Sequence, residues 1–322
     1  MNEAGEVLIA GAGIMGHGIA VCFARAGWRV ILSDPSAEAL GQARQAMVQA
    51  FLLLAESDGT APEQAENALS RISLVTQLPA AVPPVVVEAV PEQLTLKRQV
   101  LADLAARGTA ETLLCTNTSA LPISSLADGL PHAGRLVGTH FWNPPYVLPC
   151  VEVVRGDRTT EDTMDEALVV LESIGQQPVR IHQDVPGFVG NRLQHALQRE
   201  ALALVEQGVV SAEDLDRLVT NSFGLRLAVM GPFERADLGG LDTTCRVHEH
   251  LLPHLDRRTE PSRLLTEPVR RGELGAKTGK GFGQWNADEL PERIRQRDLL
   301  LLRILQLRRQ TEEQPDGKNS LQ

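Results

Sequence analysis

A doubly wound α/β sheet followed by a mostly α-helical domain is the fold class this sequence predicts, on three observations. Between Val7 and Asp34 a short apolar run, a glycine-rich turn, an apolar helical pattern and a second apolar run follow one another. From there to Ile181 short apolar runs alternate with helical stretches, the pattern of strands crossed over by helices. After Gly187 no further strand pattern is convincing, and amphipathic helices take over.

Val7 to Ala10 is uniformly apolar, as a strand buried on both faces must be. Gly11, Gly13 and Gly16 then spell GxGxxG, with Ile14 and Met15 inside the motif. Each glycine has a mechanical reason: a tight turn at Gly11, bare backbone at Gly13 against a pyrophosphate, and close helix-to-strand packing at Gly16. A helix from Ile14 to Ala26 turns its unpaired N-terminal N–H groups toward the phosphates, and Gly27 can end it. Arg29 to Ser33 is the second strand. Asp34 closes it, roughly 20 residues past the glycines, where a carboxylate accepts hydrogen bonds from an adenosine ribose and repels a 2′-phosphate. The stretch reads as an NAD site.

Residues 35 to about 73 carry helical periodicity, and from Gln45 to Ser70 the only charged groups are acids: Glu56, Asp58, Glu63 and Glu66. Val85 to Val90 is a buried-strand run, followed by a helix from near Glu92 that carries Lys97. Leu113 to Thr116 is a strand, with Pro122 and Ser124 opening a helix beyond it; Leu136 to Phe141 is another, stopped by Pro144-Pro145. Val151 to Val154 and Val179 to Ile181 complete the sheet around a helix from Glu161 to Ile174. The domain boundary falls near Val185-Pro186, giving domains over 1–185 and 186–288 and a charged helical tail over 289–322. In the second domain Asn191 to Gly208 is an amphipathic helix, and Ser211 with Asp214 resembles a capping box. The tail helix, Asp298 to Leu307, fades into TEEQPDGKNSLQ, whose composition predicts disorder.

A net charge of −10 argues against nucleic acid and anionic membranes as partners. No apolar run is long enough to span a bilayer, and MNEAGE lacks a signal pattern, so the expected location is cytoplasmic. Cys22, Cys115, Cys150 and Cys245 form no CxxC; buried reduced thiols are expected, and no metal site. Only four of the 31 basic residues are lysine (Lys97, Lys277, Lys280 and Lys318), a hint that a compact ammonium is wanted where one remains.

Ligands of open α/β sheets bind beyond the carboxyl ends of the strands. Of the eight histidines only His140 and His182 sit at such ends. His140 is the stronger candidate base: a rigid NPP turn follows it, Ser119 ends the preceding strand, and Glu152 lies in the next. A carboxylate inside VEVV needs a partner, and an imidazole ordered by a carboxylate suits general-base work. His182 is the reserve candidate.

The stretches GAGIMGHGIA, VVVEAVPEQLTLKRQV, TNTSAL, GTHFWNPP, VEVV, DVPGFVGNRL, GPFERADLGGLD and AKTGKGFG, in that order over about residues 7 to 285, resemble the L-3-hydroxyacyl-CoA dehydrogenase family. The resemblance implies a Rossmann-type NAD-binding domain, His140 as catalytic base, Glu152 as its orienting partner, and Ser119 and Asn191 as hydrogen-bonding groups around the reacting oxygen. It also implies that Glu92, Lys97, Asn143 and Lys277 contact NAD or lie beside it, and that the protein is a homodimer. Two other dehydrogenase classes do not fit. Tyr146 has Cys150 where a catalytic lysine would stand, and the glycines Gly187 and Gly190 are followed by Gln194 where the other class has its lysine. The substrate that the resemblance implies is an L-3-hydroxyacyl-CoA of fatty acid metabolism. That substrate is the first expectation; the alternative is a small free 3-hydroxy acid, because the stretch PYVLPC and the acidic segment from Gln45 to Ser70 look closer to the L-gulonate 3-dehydrogenase and λ-crystallin branch. A redox-silent NAD-binding protein, as λ-crystallin illustrates, is the third reading, and retention of Ser119, His140, Glu152 and Asn191 together argues against it.

Overall fold

A computed structural model describes residues 5–312. The chain begins with β1 (Glu6–Ala10), α1 (Ile14–Arg25), β2 (Arg29–Ser33), α2 (Ala37–Asp58), α3 (Pro62–Ser70) and β3 (Ile72–Val75). It continues through β4 (Val85–Glu88), α4 (Leu94–Arg107), β5 (Leu113–Thr116), α5 (Ile123–Leu126) and β6 (Leu136–Phe141) to β7 (Cys150–Val154), α6 (Glu161–Ser173) and β8 (Gln177–Ile181). The eight strands form one sheet in the order β3-β2-β1-β4-β5-β6-β7-β8. Both faces are covered, and β1 shows it residue by residue. Val7 and Ile9 enter the core packed with α1, α2 and α6, while Leu8 and Ala10 enter the core packed with α4 and α5. Alternation of side chains along a strand and burial on both faces explain why the run had to be apolar throughout.

One sequence expectation changes here, and one feature of the sheet was not foreseen. The helical pattern does not run on to Ser73, because Ile72–Val75 is an edge strand parallel to β2, with only Ile72 buried. The sheet is also not parallel throughout. β6 and β7 are antiparallel, and β8 runs parallel to β7, so the last two strands oppose the other six. The connection Trp142–Pro149 is eight residues long, too short for the crossover that parallel neighbours require.

By its internal contacts the chain divides into two units, one up to Asn191 together with Asp298–Arg303, the other from Arg192 to Arg297 with the residues after Ile304. Helix α7 (Gly190–Glu206) leads into the second unit, followed by α8 (Ala212–Thr220), α9 (Phe223–Leu227), α10 (Pro232–Gly239), α11 (Leu241–Leu251), α12 (Arg263–Arg270) and α13 (Leu290–Glu312). Ser211 caps α8, its hydroxyl accepting from Asp214 N. The expected disorder of the tail lies outside the described residues from 313 on. None of the described helices is long and apolar enough to cross a membrane. Cys22 and Cys115 are buried, and burial pushes both thiols up to about 12. Against expectation Cys150 is half-buried and Cys245 exposed.

Candidate active site

The glycine turn is fastened by the residue that ends β2. Asp34 accepts a hydrogen bond from Ala12 N at 3.0 Å on one carboxylate oxygen and from Ser36 N at 2.9 Å on the other. Gly11 has φ +106°, and a Cβ there would lie 2.6 Å from Ala89 O. A Cβ on Gly16 would lie 1.8 Å from Gly11 O, so this glycine lets α1 close on the turn. Gly13 has no heavy atom within 4 Å of where its Cβ would be, and no side chain caps α1. Open space in front of bare N–H groups, with exposed Ile14 beside it and a carboxylate that keeps free lone pairs, fits the pyrophosphate and ribose of a dinucleotide.

His140 and Glu152 face each other across the β6–β7 ladder, with His140 Nδ1 and a Glu152 carboxylate oxygen 2.8 Å apart. Both are buried, at 5% and 4% exposure. The other carboxylate oxygen accepts from Val189 N and Gly190 N, each at 3.0 Å, where α7 begins. Burial pushes the Glu152 carboxyl up, but the bonds from His140, Gly190 and Val189 outweigh it and hold the group below the ordinary carboxylate value. An ionised carboxylate only accepts, so Nδ1 carries a proton, and in the neutral imidazole Nε2 is the acceptor. The aromatic rings of Trp142 and Phe188 lie 5.3 and 5.7 Å from the imidazole. Phe188 is fully buried with φ +50°.

Asn191, one residue past the Glu152 contact, donates through Nδ2 to Ser119 O at 2.9 Å, while Ser119 itself is exposed. The loop carrying Ser119 is gathered around Glu92, one oxygen of which accepts from Thr118 Oγ1 (2.6 Å), Ser119 N (2.9 Å), Ala120 N (2.9 Å) and Leu121 N (3.3 Å). Burial pushes Glu92 up, yet the bonds from Thr118 and Ala120 and the charge of Lys97 hold it below its ordinary value. Lys97 is 1% exposed, so it is no solvated surface lysine; its ammonium lies 2.8 Å from Glu88 and 3.4 Å from Glu92. Asn143 is exposed on the turn after β6, and Lys277 is exposed in the second unit. His182 follows β8, whose direction puts it at the sheet edge opposite the end of β6, so it is no reserve for His140.

The sequence reading missed two members of this network. Glu88 is fully buried, accepting from Lys97 Nζ, Thr116 Oγ1 and Val90 N. Burial pushes its carboxyl up against the opposing pull of Lys97. Its signal was the one that found Glu152, a lone acid in a valine run. Asn117 accepts from Phe141 N at 2.9 Å and so ties the Ser119 loop to the strand of His140; nothing local marks it. Among the described residues no His, Cys, Asp and Glu cluster could hold a metal ion.

Comparison with known proteins adds the family context. The profile of the 3-hydroxyacyl-CoA dehydrogenase NAD-binding domain matches residues 6–185, and that of the 3-hydroxyacyl-CoA dehydrogenase C-terminal domain matches 187–285. Rabbit (Oryctolagus cuniculus) λ-crystallin is 35% identical, over 97% of this chain and 98% of its own. A probable 3-hydroxybutyryl-CoA dehydrogenase of Bacillus subtilis is 34% identical over 87% of this chain and 97% of its own. The crystal structure of 5-formyl-3-hydroxy-2-methylpyridine 4-carboxylic acid 5-dehydrogenase, an NAD+-dependent dismutase, superposes with a TM-score of 0.85 at 30% identity, over 94% of this chain and 98% of its own.

Proposed function

Because this chain belongs to the 3-hydroxyacyl-CoA dehydrogenase family, whose NAD-dependent oxidoreductase chemistry it shares, we propose that it oxidises the hydroxyl of a small, free L-3-hydroxy acid to the 3-oxo acid. His140 Nε2 takes the hydroxyl proton as the carbonyl forms. NAD bound at the glycine turn would supply the hydride acceptor for the substrate carbon. Glu152 holds the imidazole in the tautomer that leaves Nε2 free and stabilises the imidazolium that results. Ser119 and Asn191 bind and orient the reacting oxygen and the neighbouring carbonyl. Gly11, Gly13, Ile14, Met15, Gly16 and Asp34 hold the adenosine diphosphate half of the dinucleotide; Glu92, Asn143 and Lys277 contact NAD or lie beside it, and buried Lys97 acts through Glu92. The two family-profile matches support a division into an NAD-binding domain over 1–185 and a helical domain from 186; the expected separate tail after 288 is matched by neither, and its residues Asp298–Arg303 belong by their contacts to the NAD-binding unit.

One observation carries the choice of a free acid. The hairpin of α2 and α3 has no Lys or Arg from Gln45 to Ser70, only Glu56, Asp58, Glu63 and Glu66. Acyl-CoA members of the family hold the coenzyme A nucleotide with serine and lysine on this hairpin, whereas here its several phosphates would meet acids, of which Asp58 is offset by Arg25. The solved structure that superposes at 0.85 is named for a free carboxylic acid. The thioester reading is supported by the family name and by relatives named for CoA thioesters, among them the Bacillus subtilis protein. A side-by-side assay with NAD of L-gulonate, free L-3-hydroxybutyrate and L-3-hydroxybutyryl-CoA decides between them. The expected result is a kcat/KM at least about a hundredfold higher for a free acid, about 2.7 kcal/mol in transition-state binding; the reverse order would overturn the reading.

A further inference from the structure

Six residues of the last helix belong to the NAD-binding unit although they lie more than a hundred residues past its other members: Asp298–Arg303. Leu299 is 8% exposed and forms a small apolar cluster with Leu53 of α2 and Val147, at 8% and 2%, apart from the two main cores. Tyr146, Leu301 and Leu302 pack around it, and Asp298 beside it is 3% exposed. Val147 is not a generic anchor point. It sits in the turn that leaves β6, closed by Val147 N and Leu148 N donating to Pro144 O at 3.0 and 2.9 Å, and Asn143 opens that turn three residues past His140.

The same turn is pinned from its other side. A Cβ on Gly18 of α1 would lie 2.7 Å from Pro145 Cδ, so helix and turn are in close packing. Val147 of the same turn joins the cluster with Leu53 and Leu299. α2 supplies one of those side chains locally; the other arrives only because the last helix returns. Without Leu299 the cluster around Val147 would lose one of its three buried members, and the turn would keep its hydrogen bonds but lose part of what fixes its position.

We propose that Leu299 is a positioning residue of the active site: with residues 298–303 it clamps Val147, and so sets the turn that carries Asn143 relative to His140. The inference rests on the reading that His140 and Asn143 belong to one oxidoreductase site, and it holds whichever acid is the substrate. It makes a segment outside the family-matched stretch of 187–285 part of the working enzyme.

The test is a double-mutant cycle on the full-length protein, with kcat/KM measured at saturating NAD on the best substrate of the wild type and thermal unfolding recorded for every variant. Leu299→Ala is expected to lower kcat/KM about tenfold, and Leu299→Met, which roughly conserves volume, to recover most of it. In the Asn143→Ala background Leu299→Ala is expected to cost less than twofold, because the group it positions is gone; coupled residues are non-additive in this way. Leu53→Ala attacks the same contact from α2 and should behave alike if Leu299→Ala is too unstable to assay. A full tenfold loss persisting in the Asn143→Ala background, or an unchanged kcat/KM in Leu299→Ala, would overturn the proposal. Failure of the wild type to oxidise any of the acids tested would instead overturn the functional reading.

Discussion

Glu152 is shared between His140 and the start of α7: one oxygen lies 2.8 Å from the imidazole Nδ1, the other accepts from Val189 N and Gly190 N. The antiparallel turn between β6 and β7 makes this possible. Had β7 run parallel to β6, a residue near its start would stand at the far edge of the sheet.

His140→Gln should lower kcat by about 10² to 10⁴ while leaving NADH affinity within about twofold, since it removes the proton acceptor and little else. Glu152→Gln should do nearly as much harm by releasing the tautomer. Steady-state kinetics with NADH fluorescence titration check both; wild-type turnover in His140→Gln would move the chemistry to another group.

The Glu152 carboxyl is held below its ordinary value in the folded state, so the stability it contributes is present above the unfolded value of about 4.3 and is lost as pH falls through the lower folded one. Urea midpoints at pH 6 and pH 3 should therefore converge for wild type and Glu152→Gln at the acid end. A constant difference between them at both values would contradict this.

At Asp34 the expected preference is for NAD over NADP by well over tenfold, because one repulsive contact of about 1.4 kcal/mol already gives a factor of ten. Asp34→Ala should narrow the gap. It should also cost some stability, since it removes the bonds to Ala12 N and Ser36 N; kcat/KM with each cofactor and a melting curve read the two effects apart.

Helices α8 to α12 bury no residue of their own, and Phe233, Leu238, Val229 and Leu241 are between 64% and 86% exposed. So much apolar surface fits a two-fold interface with a second copy. Light scattering at micromolar concentration should give twice the chain mass, and a monomer would refute the homodimer.

The parts of this architecture written in local sequence were readable in advance. The glycine turn, Asp34 and the strand of His140 each follow from spacing within a few residues, and Glu152 from the cost of burying a lone acid. Periodicity carries no strand direction, so the reversal at β7 had to be read from the eight-residue connection instead. Edge strand β3 was lost because only Ile72 of its four residues is buried, which removes the apolar signal. Asn117 and the return of Leu299 are long-range relations between segments that carry no mark of each other.

The double duty of Glu152 bears on how such a protein would age if its lineage gave up catalysis for another role. Selection on folding alone would still keep the carboxylate that receives the first N–H groups of α7, and Asn191, which ties that helix to the Ser119 loop. The imidazole of His140 serves no backbone group, and exposed Ser119 spends its side chain on none of the described contacts. Decay should therefore begin at His140 and Ser119 while Glu152 and Asn191 persist, so the first pair is a record of retained chemistry and the second of retained architecture.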